Sequence, residues 1–233
     1  MSPTTQPSGL SPSIEDYLKT IYRLEQDGGA AQTSTIAEWL GIAPPSVSGM
    51  LKRLAESGLV EHVPYRGVTL TRVGHRAAAR VVRRHRVIET YLATKLGYDW
   101  DSVHEEAERL EHAASDDLIE RMVMALGNPQ YHPHGAPIPA QDGTMETPQY
   151  IPLTDVSVGE TVELRMVSDR SPEMLRYLSS LDLKPGVSFE VLSRQPFRGP
   201  INIRLIGASG REHVIGHELA KSLFCDVLPG EAG

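Results

Sequence analysis

Apolar residues recur at Ile14, Tyr17, Leu18, Ile21 and Leu24, the three- and four-residue spacing of one helical face. Ser13 stands in front of them as a candidate cap. A second, short helix is predicted where Thr35-Ile36-Ala37-Glu38 has the form of a capping box and Gly41 supplies a stop. Ala43-Pro44-Pro45-Ser46 opens a third, because proline is tolerated in a first turn, and Val47, Met50, Leu51 and Leu54 form its inner stripe. Two alternating runs, LVEHV and GVTLT, joined by Pro64-Tyr65-Arg66-Gly67, read as a hairpin. Helices followed by a hairpin predict a winged helix-turn-helix over 13–75, behind a Ser/Pro/Thr-rich tail, 1–12, expected to be disordered.

The pattern then lengthens. A helix is predicted from Gly74 to about Leu96, with Val81, Ile88, Leu92 and Leu96 on one side, and another over 102–126 with Val103, Ala107, Leu110, Ala114 and Leu118. Two long amphipathic helices behind a DNA-binding head most simply form the core of a homodimer, so 76–130 is expected to be a helical dimerisation domain. The stretch up to Tyr150 is rich in proline and glycine and reads as a linker over 131–150. Beyond it TVELRMV, VSFEVLSR, INIRLIG and REHVIG look like strands, with one short helix at EMLRYLSSL, which predicts a small β-barrel over 151–233 and an α+β fold overall.

Charge sharpens this picture. The net charge of -7 is unevenly spread: between Pro44 and Arg86 nine basic residues face only Glu56 and Glu61. Phosphate-seeking charge is therefore concentrated on the predicted head, and double-stranded operator DNA is the expected partner. On the third helix the outer face holds Pro45, Ser46, Ser48, Gly49, Lys52 and Arg53, small, polar and basic groups suited to a major groove, and Arg66 sits on the wing. No apolar stretch approaches a membrane span and the first residues lack a signal-peptide pattern. The single cysteine, Cys225, lies in the apolar run SLFCDVL and reads as a core residue, so a cytoplasmic location is expected.

The opposite imbalance follows the head. From Tyr98 to Glu120 nine carboxylates face Arg109 alone, self-repulsion that a cation would relieve. His104, Glu108, Glu111 and His112 lie at offsets that return to one side of a helix, with His85 and Glu89 on the helix before. The arrangement predicts a divalent-cation site; without the histidines it would read as a solvated acidic helix.

IEDYLKTIY, IAPPSVSGMLKRLAESGLV, YRGVTLTRVG, RRHRVIETYL and VHEEAERLEHAASDDL together resemble the diphtheria-toxin-repressor (DtxR) superfamily. Within it the chain resembles the manganese-responsive MntR-like branch that carries a C-terminal SH3-like, FeoA-type domain. The resemblance implies a Mn(II)-dependent regulator, usually a repressor, of manganese transport genes. It places a primary metal site at Asp16, Glu108, Glu111 and His112. Iron-responsive members carry methionine and cysteine where this chain has Asp16 and Glu108, and two carboxylates in place of soft sulfur favour Mn(II). Fe(II), Co(II), Cd(II) or Zn(II) are further ions such a site could bind. The binuclear arrangement of MntR-type sites uses a glutamate where this chain has Lys19. The SH3-bearing relatives imply a second site at Glu89, His132, His134 and Asp169, with His85 and His104 matching ligand positions in some branches.

Three competing readings remain at this level. An iron-responsive regulator of the same superfamily differs only in its ion. A metal-independent winged-helix regulator would take an organic effector in its C-terminal domain. A metallohydrolase would also use His/Glu clusters, but the chain has no HExxH, nucleophile elbow or glycine-rich phosphate loop, and so is expected not to be an enzyme.

Overall fold

The computed structural model describes residues 9–26, 28, 30–145, 148–168, 171–207 and 210–229. Residues 1–8 of the predicted tail lie outside them, whereas Pro12 already belongs to the first helix. The chain divides into two compact units, Met1–Ile88 with Ala107–Asn128 and Ile138–Glu146, and Glu89–Glu106 with Pro129–Pro137 and Thr147–Gly233.

In the first unit, α1 (Pro12–Gln26), α2 (Thr33–Leu40) and α3 (Pro44–Glu56) precede the hairpin of β1 (Val60–Val63) and β2 (Gly67–Leu70). Ser13 is inside α1 rather than capping it, because Pro12 fills the first turn. The capping box also starts late: α2 begins at Thr33 with Gln32 as N-cap and no side-chain cap bond. Gly41 ends α2 as expected, at φ 64, with its N–H shared between the carbonyls of Ala37 and Glu38. Leu18, Ile21, Ile36, Val47, Leu51, Leu54, Val68, Ala78 and Val82 close the core beneath. The wing is tied to the helices at Ala31 and Val68, which exchange backbone hydrogen bonds of 2.8 and 3.0 Å.

α4 (Arg72–Leu96) is one long helix, as its periodicity predicts. The helix expected over 102–126 is instead two, α5 (Val103–Leu110) and α6 (Asp116–Ala125). Ser115 takes an extended backbone and accepts a hydrogen bond from Leu118 N, capping α6, while Asp116 and Asp117 sit at its positive end. Of the predicted apolar stripe Val103, Ala107 and Ala114 are buried while Leu110 and Leu118 are exposed, and α6 buries Ile119 and Val123 instead; the cap decides the break locally.

The second unit holds β3 (Ile151–Pro152), β4 (Thr161–Val167), α7 (Pro172–Ser180), β5 (Ser188–Arg194), β6 (Ile201–Leu205), β7 (Glu212–Ile215), α8 (His217–Ala220) and β8 (Leu223–Val227). Its antiparallel sheet has the order β3-β8-β4-β5-β6-β7. Alternate residues Val162 and Leu164, Phe189 and Val191, Ile201 and Ile203, and Leu223 and Cys225 point into one core. The expected barrel is not closed: among the described residues β3 and β7 remain the two edges. β3 is two residues long and includes a proline, which cannot donate to a ladder. Register shifts at Leu164/Met166 and Val191/Ser193 bend the sheet without joining its ends.

Candidate metal centre and nucleic-acid interface

α1 carries Glu15, Asp16 and Lys19 toward the chain around the end of α5. Glu111 N still donates to Ala107 O at 2.9 Å, so Glu108 and Glu111 stay one helical turn apart. Past Glu111 the backbone tightens, with Ala113 N donating to Leu110 O. Asp16, Glu111 and His112 each bring a ligand atom within 4.8 Å of the others. His112 Nε2 lies 2.9 Å from Asp16 Oδ1 and 3.4 Å from Glu111 Oε1, while its Nδ1 lies 2.7 Å from Glu15 Oε2. His85, fully buried, places Nδ1 2.6 Å from the other Glu111 oxygen.

The expected self-repulsion of these carboxylates is not left open. The Lys19 ammonium lies 2.8 Å from Glu108 Oε1 and 2.5 Å from Glu111 Oε1, and the Arg84 guanidinium 2.6 Å from Glu15 Oε1. Burial alone would raise the Glu111 carboxyl, but the His85 hydrogen bond and the charges of His85 and Lys19 outweigh it and bring it to about 2. Glu108 is likewise pulled below the usual carboxylate range, burial being outweighed by Lys19. Asp16 goes the other way: burial raises it, and His112 and Lys19 offset only part of that. The donor set is oxygen and imidazole nitrogen, with no sulfur, which fits a hard or borderline divalent cation.

In the second unit, Glu89, His132 and His134 form another convergent group, all buried. His134 Nε2 donates to the Trp100 carbonyl at 2.7 Å, which leaves Nδ1 bare. His132 Nδ1 lies 3.0 Å from Ala136 N and 3.1 Å from Ala136 O, and its Nε2 lies 3.6 Å from Glu89 Oε2. In the neutral tautomer whose Nδ1 donates to Ala136 O, Nε2 carries the ring's lone pair and faces Glu89. The other Glu89 oxygen lies 3.1 Å from His104 Nδ1. Both histidines come from the proline-rich stretch read as a linker, here pinned by the Tyr131–Pro137 bridge and by Val167 N donating to His134 O. Asp169, the fourth expected ligand, lies outside the described residues.

Pro45, Ser46, Ser48, Gly49, Lys52 and Arg53 are all exposed along α3, and Arg66 is exposed on the hairpin loop beside Tyr65, whose φ is 62. No helix of the described residues is long and apolar enough to cross a membrane. Residue-by-residue reading missed Glu15 and Arg84. Glu15 shares the i, i+3, i+4, i+7 face of Leu18, Lys19 and Tyr22, so its inward position was visible in the spacing; that Arg84, one of three arginines around His85, would be its partner was not.

Three family patterns match the chain: the iron dependent repressor N-terminal DNA binding domain over residues 9–68, the iron dependent repressor metal binding and dimerisation domain over 71–140, and the FeoA domain over 151–227. The diphtheria toxin repressor of Corynebacterium efficiens is 33% identical over 196 residues, 80% of this chain and 85% of that protein. The iron-dependent repressor IdeR of Mycobacterium tuberculosis is 40% identical over 130 residues, 56% of each. A solved manganese-dependent transcriptional repressor in complex with manganese superposes with a TM-score of 0.86 at 40% identity, over 92% of this chain and 100% of that one. The manganese regulator SloR superposes with a TM-score of 0.78 at 33% identity, over 94% and 100%.

Proposed function

We propose that this chain, which belongs to the diphtheria-toxin-repressor family of metal-dependent, DNA-binding transcriptional repressors, answers to Mn(II) and represses genes of manganese transport. The family consists of regulators rather than enzymes, which removes the metallohydrolase reading.

The observation that carries the choice of ion is the donor set of Asp16, Glu111 and His112, with Glu108 beside it: three carboxylates and an imidazole, with no sulfur. Manganese is at the weak end of the divalent affinity order, so a Mn(II) sensor must win by hard donors and geometry rather than by raw affinity. A manganese-dependent repressor and the iron-dependent IdeR are both 40% identical to this chain, so the donor set and not the identity carries the choice of ion. When bound, the ion supplies positive charge shared by α1 and the end of α5. Asp16 holds it from the DNA-binding head, and Glu108, Glu111 and His112 hold it from the helical domain. Glu15 keeps the His112 ring turned so that Nε2 faces Asp16. A hundredfold gain in operator affinity requires about 2.7 kcal/mol of coupling between the two sites, within the usual range for allostery. Operator DNA must then tighten Mn(II) binding by the same factor.

Glu89, His132 and His134, with Asp169, form the second metal site in this reading, with His85 and His104 supporting the two sites through Glu111 and Glu89. Ser46, Ser48, Gly49 and Lys52, beside Pro45, meet base edges or backbone, while Arg53 and Arg66 meet phosphates or the minor groove. Leu110, Leu118 and Met124, exposed on α5 and α6, belong to a homodimer face that would set the spacing of two half-sites. The compartment in this reading is the cytoplasm.

The test is a mobility shift on the DNA upstream of the chain's own gene and of manganese-transport genes, with Mn(II), Fe(II), Zn(II) or chelator. Mn(II)-dependent binding that is lost in Asp16→Ala and in His112→Ala is expected. Binding that survives chelation, or that persists in both variants, overturns the proposal, and a response to Fe(II) alone hands the protein to the iron branch.

A further inference from the structure

Lys19 occupies a place that ordinarily rejects a lysine. Its side chain is 5% exposed, and a cation so buried persists only when carboxylates surround it. Both of its partners, Glu108 and Glu111, belong to the metal site proposed above. The two Glu111 oxygens are divided: Oε2 lies 2.6 Å from His85 Nδ1, while Oε1 lies 2.5 Å from Lys19 and 3.4 Å from His112 Nε2. The oxygen on the side of Asp16 and His112 is therefore the one that the ammonium already holds.

We propose that Lys19 is a tethered cation built into the metal site, which neutralises Glu108 and Glu111 in the metal-free protein and competes with the incoming divalent ion for Glu111. This rests on the Mn(II) reading above. An ion drawn to Asp16, His112 and Glu111 Oε1 meets a fixed positive charge within a hydrogen-bond length of that oxygen, and their repulsion weakens its binding. The competitor is part of the chain, so its effective concentration never falls, and the site fills only above a raised threshold of free metal. The same charge sits where a second ion would bridge Glu108 and Glu111, which keeps this cluster mononuclear. A site satisfied without metal also gives a folded head awaiting its signal rather than one held open by repulsion.

Lys19→Met and Lys19→Gln remove the charge and keep the length or a donor. Mn(II) affinity is measured by calorimetric titration of the full chain, with His134→Ala also present so that the second cluster does not contribute. Both variants are expected to bind Mn(II) about tenfold more tightly or better, as expected for removing one close, partly screened charge. Their metal-free forms should melt at a lower temperature than the parent, and Mn(II) should close that gap. Lys19→Arg, which retains the charge, should not tighten binding. Equal or weaker Mn(II) binding in both neutral variants overturns the role of Lys19. Asp16→Ala, titrated alongside, separates the two possible failures: loss of its isotherm leaves the site standing without this role, whereas an unchanged isotherm removes the site itself.

Discussion

Glu15 Oε2 stands 2.7 Å from His112 Nδ1, joining α1 to the chain just beyond α5, while its other oxygen holds Arg84 at 2.6 Å. A carboxylate behind a ligating histidine fixes the tautomer and raises ligand basicity. Glu15→Ala should therefore weaken Mn(II) binding by roughly 10–100-fold, with Glu15→Gln milder because its amide oxygen still accepts. It also removes the carboxylate paired with a buried arginine, which should lower the metal-free protein's unfolding free energy by about 3 kcal/mol. Calorimetric titration and urea unfolding read the two effects separately; unchanged Mn(II) affinity would remove Glu15 from the site.

Asp16 and Glu111 predict opposite responses to pH in the metal-free protein. Glu111 is lowered to about 2 from its ordinary 4.5, so its stabilising contribution is complete above the ordinary value and is lost as pH falls toward 2. Asp16 is raised by burial, so its ionisation opposes folding once pH exceeds its ordinary 3.8. Asp16→Asn should then melt at a higher temperature than the parent at neutral pH without metal, and respond less to Mn(II). A lower metal-free melting temperature contradicts the assignment.

Gly135 has φ +90, and a Cβ there would stand 1.8 Å from the Arg165 carbonyl oxygen. No side chain fits without moving backbone. Gly135→Ala should disturb the turn that presents His132 and His134, lowering the number of Mn(II) ions bound while leaving the Asp16/His112 isotherm in place. A full complement of metal with parental affinity would show that this turn is not needed.

Cys225 is buried in the core of the second unit, and burial pushes its thiol up to about 12. A thiol so placed has almost no thiolate at neutral pH. A disulfide reagent should leave it unmodified in the native protein and modify one thiol per chain after denaturation. Rapid native labelling would contradict the burial.

Lys52 and Arg66 are exposed on α3 and on the wing. If Arg66 meets a phosphate, Arg66→Ala should weaken operator and random DNA alike and reduce the slope of log affinity against log salt by about one. Lys52→Ala should instead reduce the preference for operator over random DNA if it reads a base edge. Fluorescence anisotropy across a salt series distinguishes them; an unchanged slope in Arg66→Ala takes it off the phosphates.

Helical periodicity, proline and glycine punctuation and strand alternation were enough to place α1 to α4, the wing and four strands of the C-terminal sheet, because each depends on contacts a few residues apart. Spacing by itself offered His104, Glu108, Glu111 and His112, whereas the set of Asp16, Glu108, Glu111 and His112, and Lys19 as a departure, came from the family resemblance. Spacing misplaced the helix at 102–126, where the Ser115 cap outweighed the apolar pattern, and it missed β3 and β8, one carrying a proline and the other read only for its cysteine.

What tertiary structure alone decided is how charge is settled. Glu15 with Arg84, Lys19 with Glu108 and Glu111, and His85 with Glu111 join residues far apart in the chain. No local spacing encodes such pairs, since a buried charge takes whichever opposite group the packing brings within reach. The open edges of the sheet have the same origin: strand alternation says which residues face inward, but only pairing of the edge strands β3 and β7 would close it.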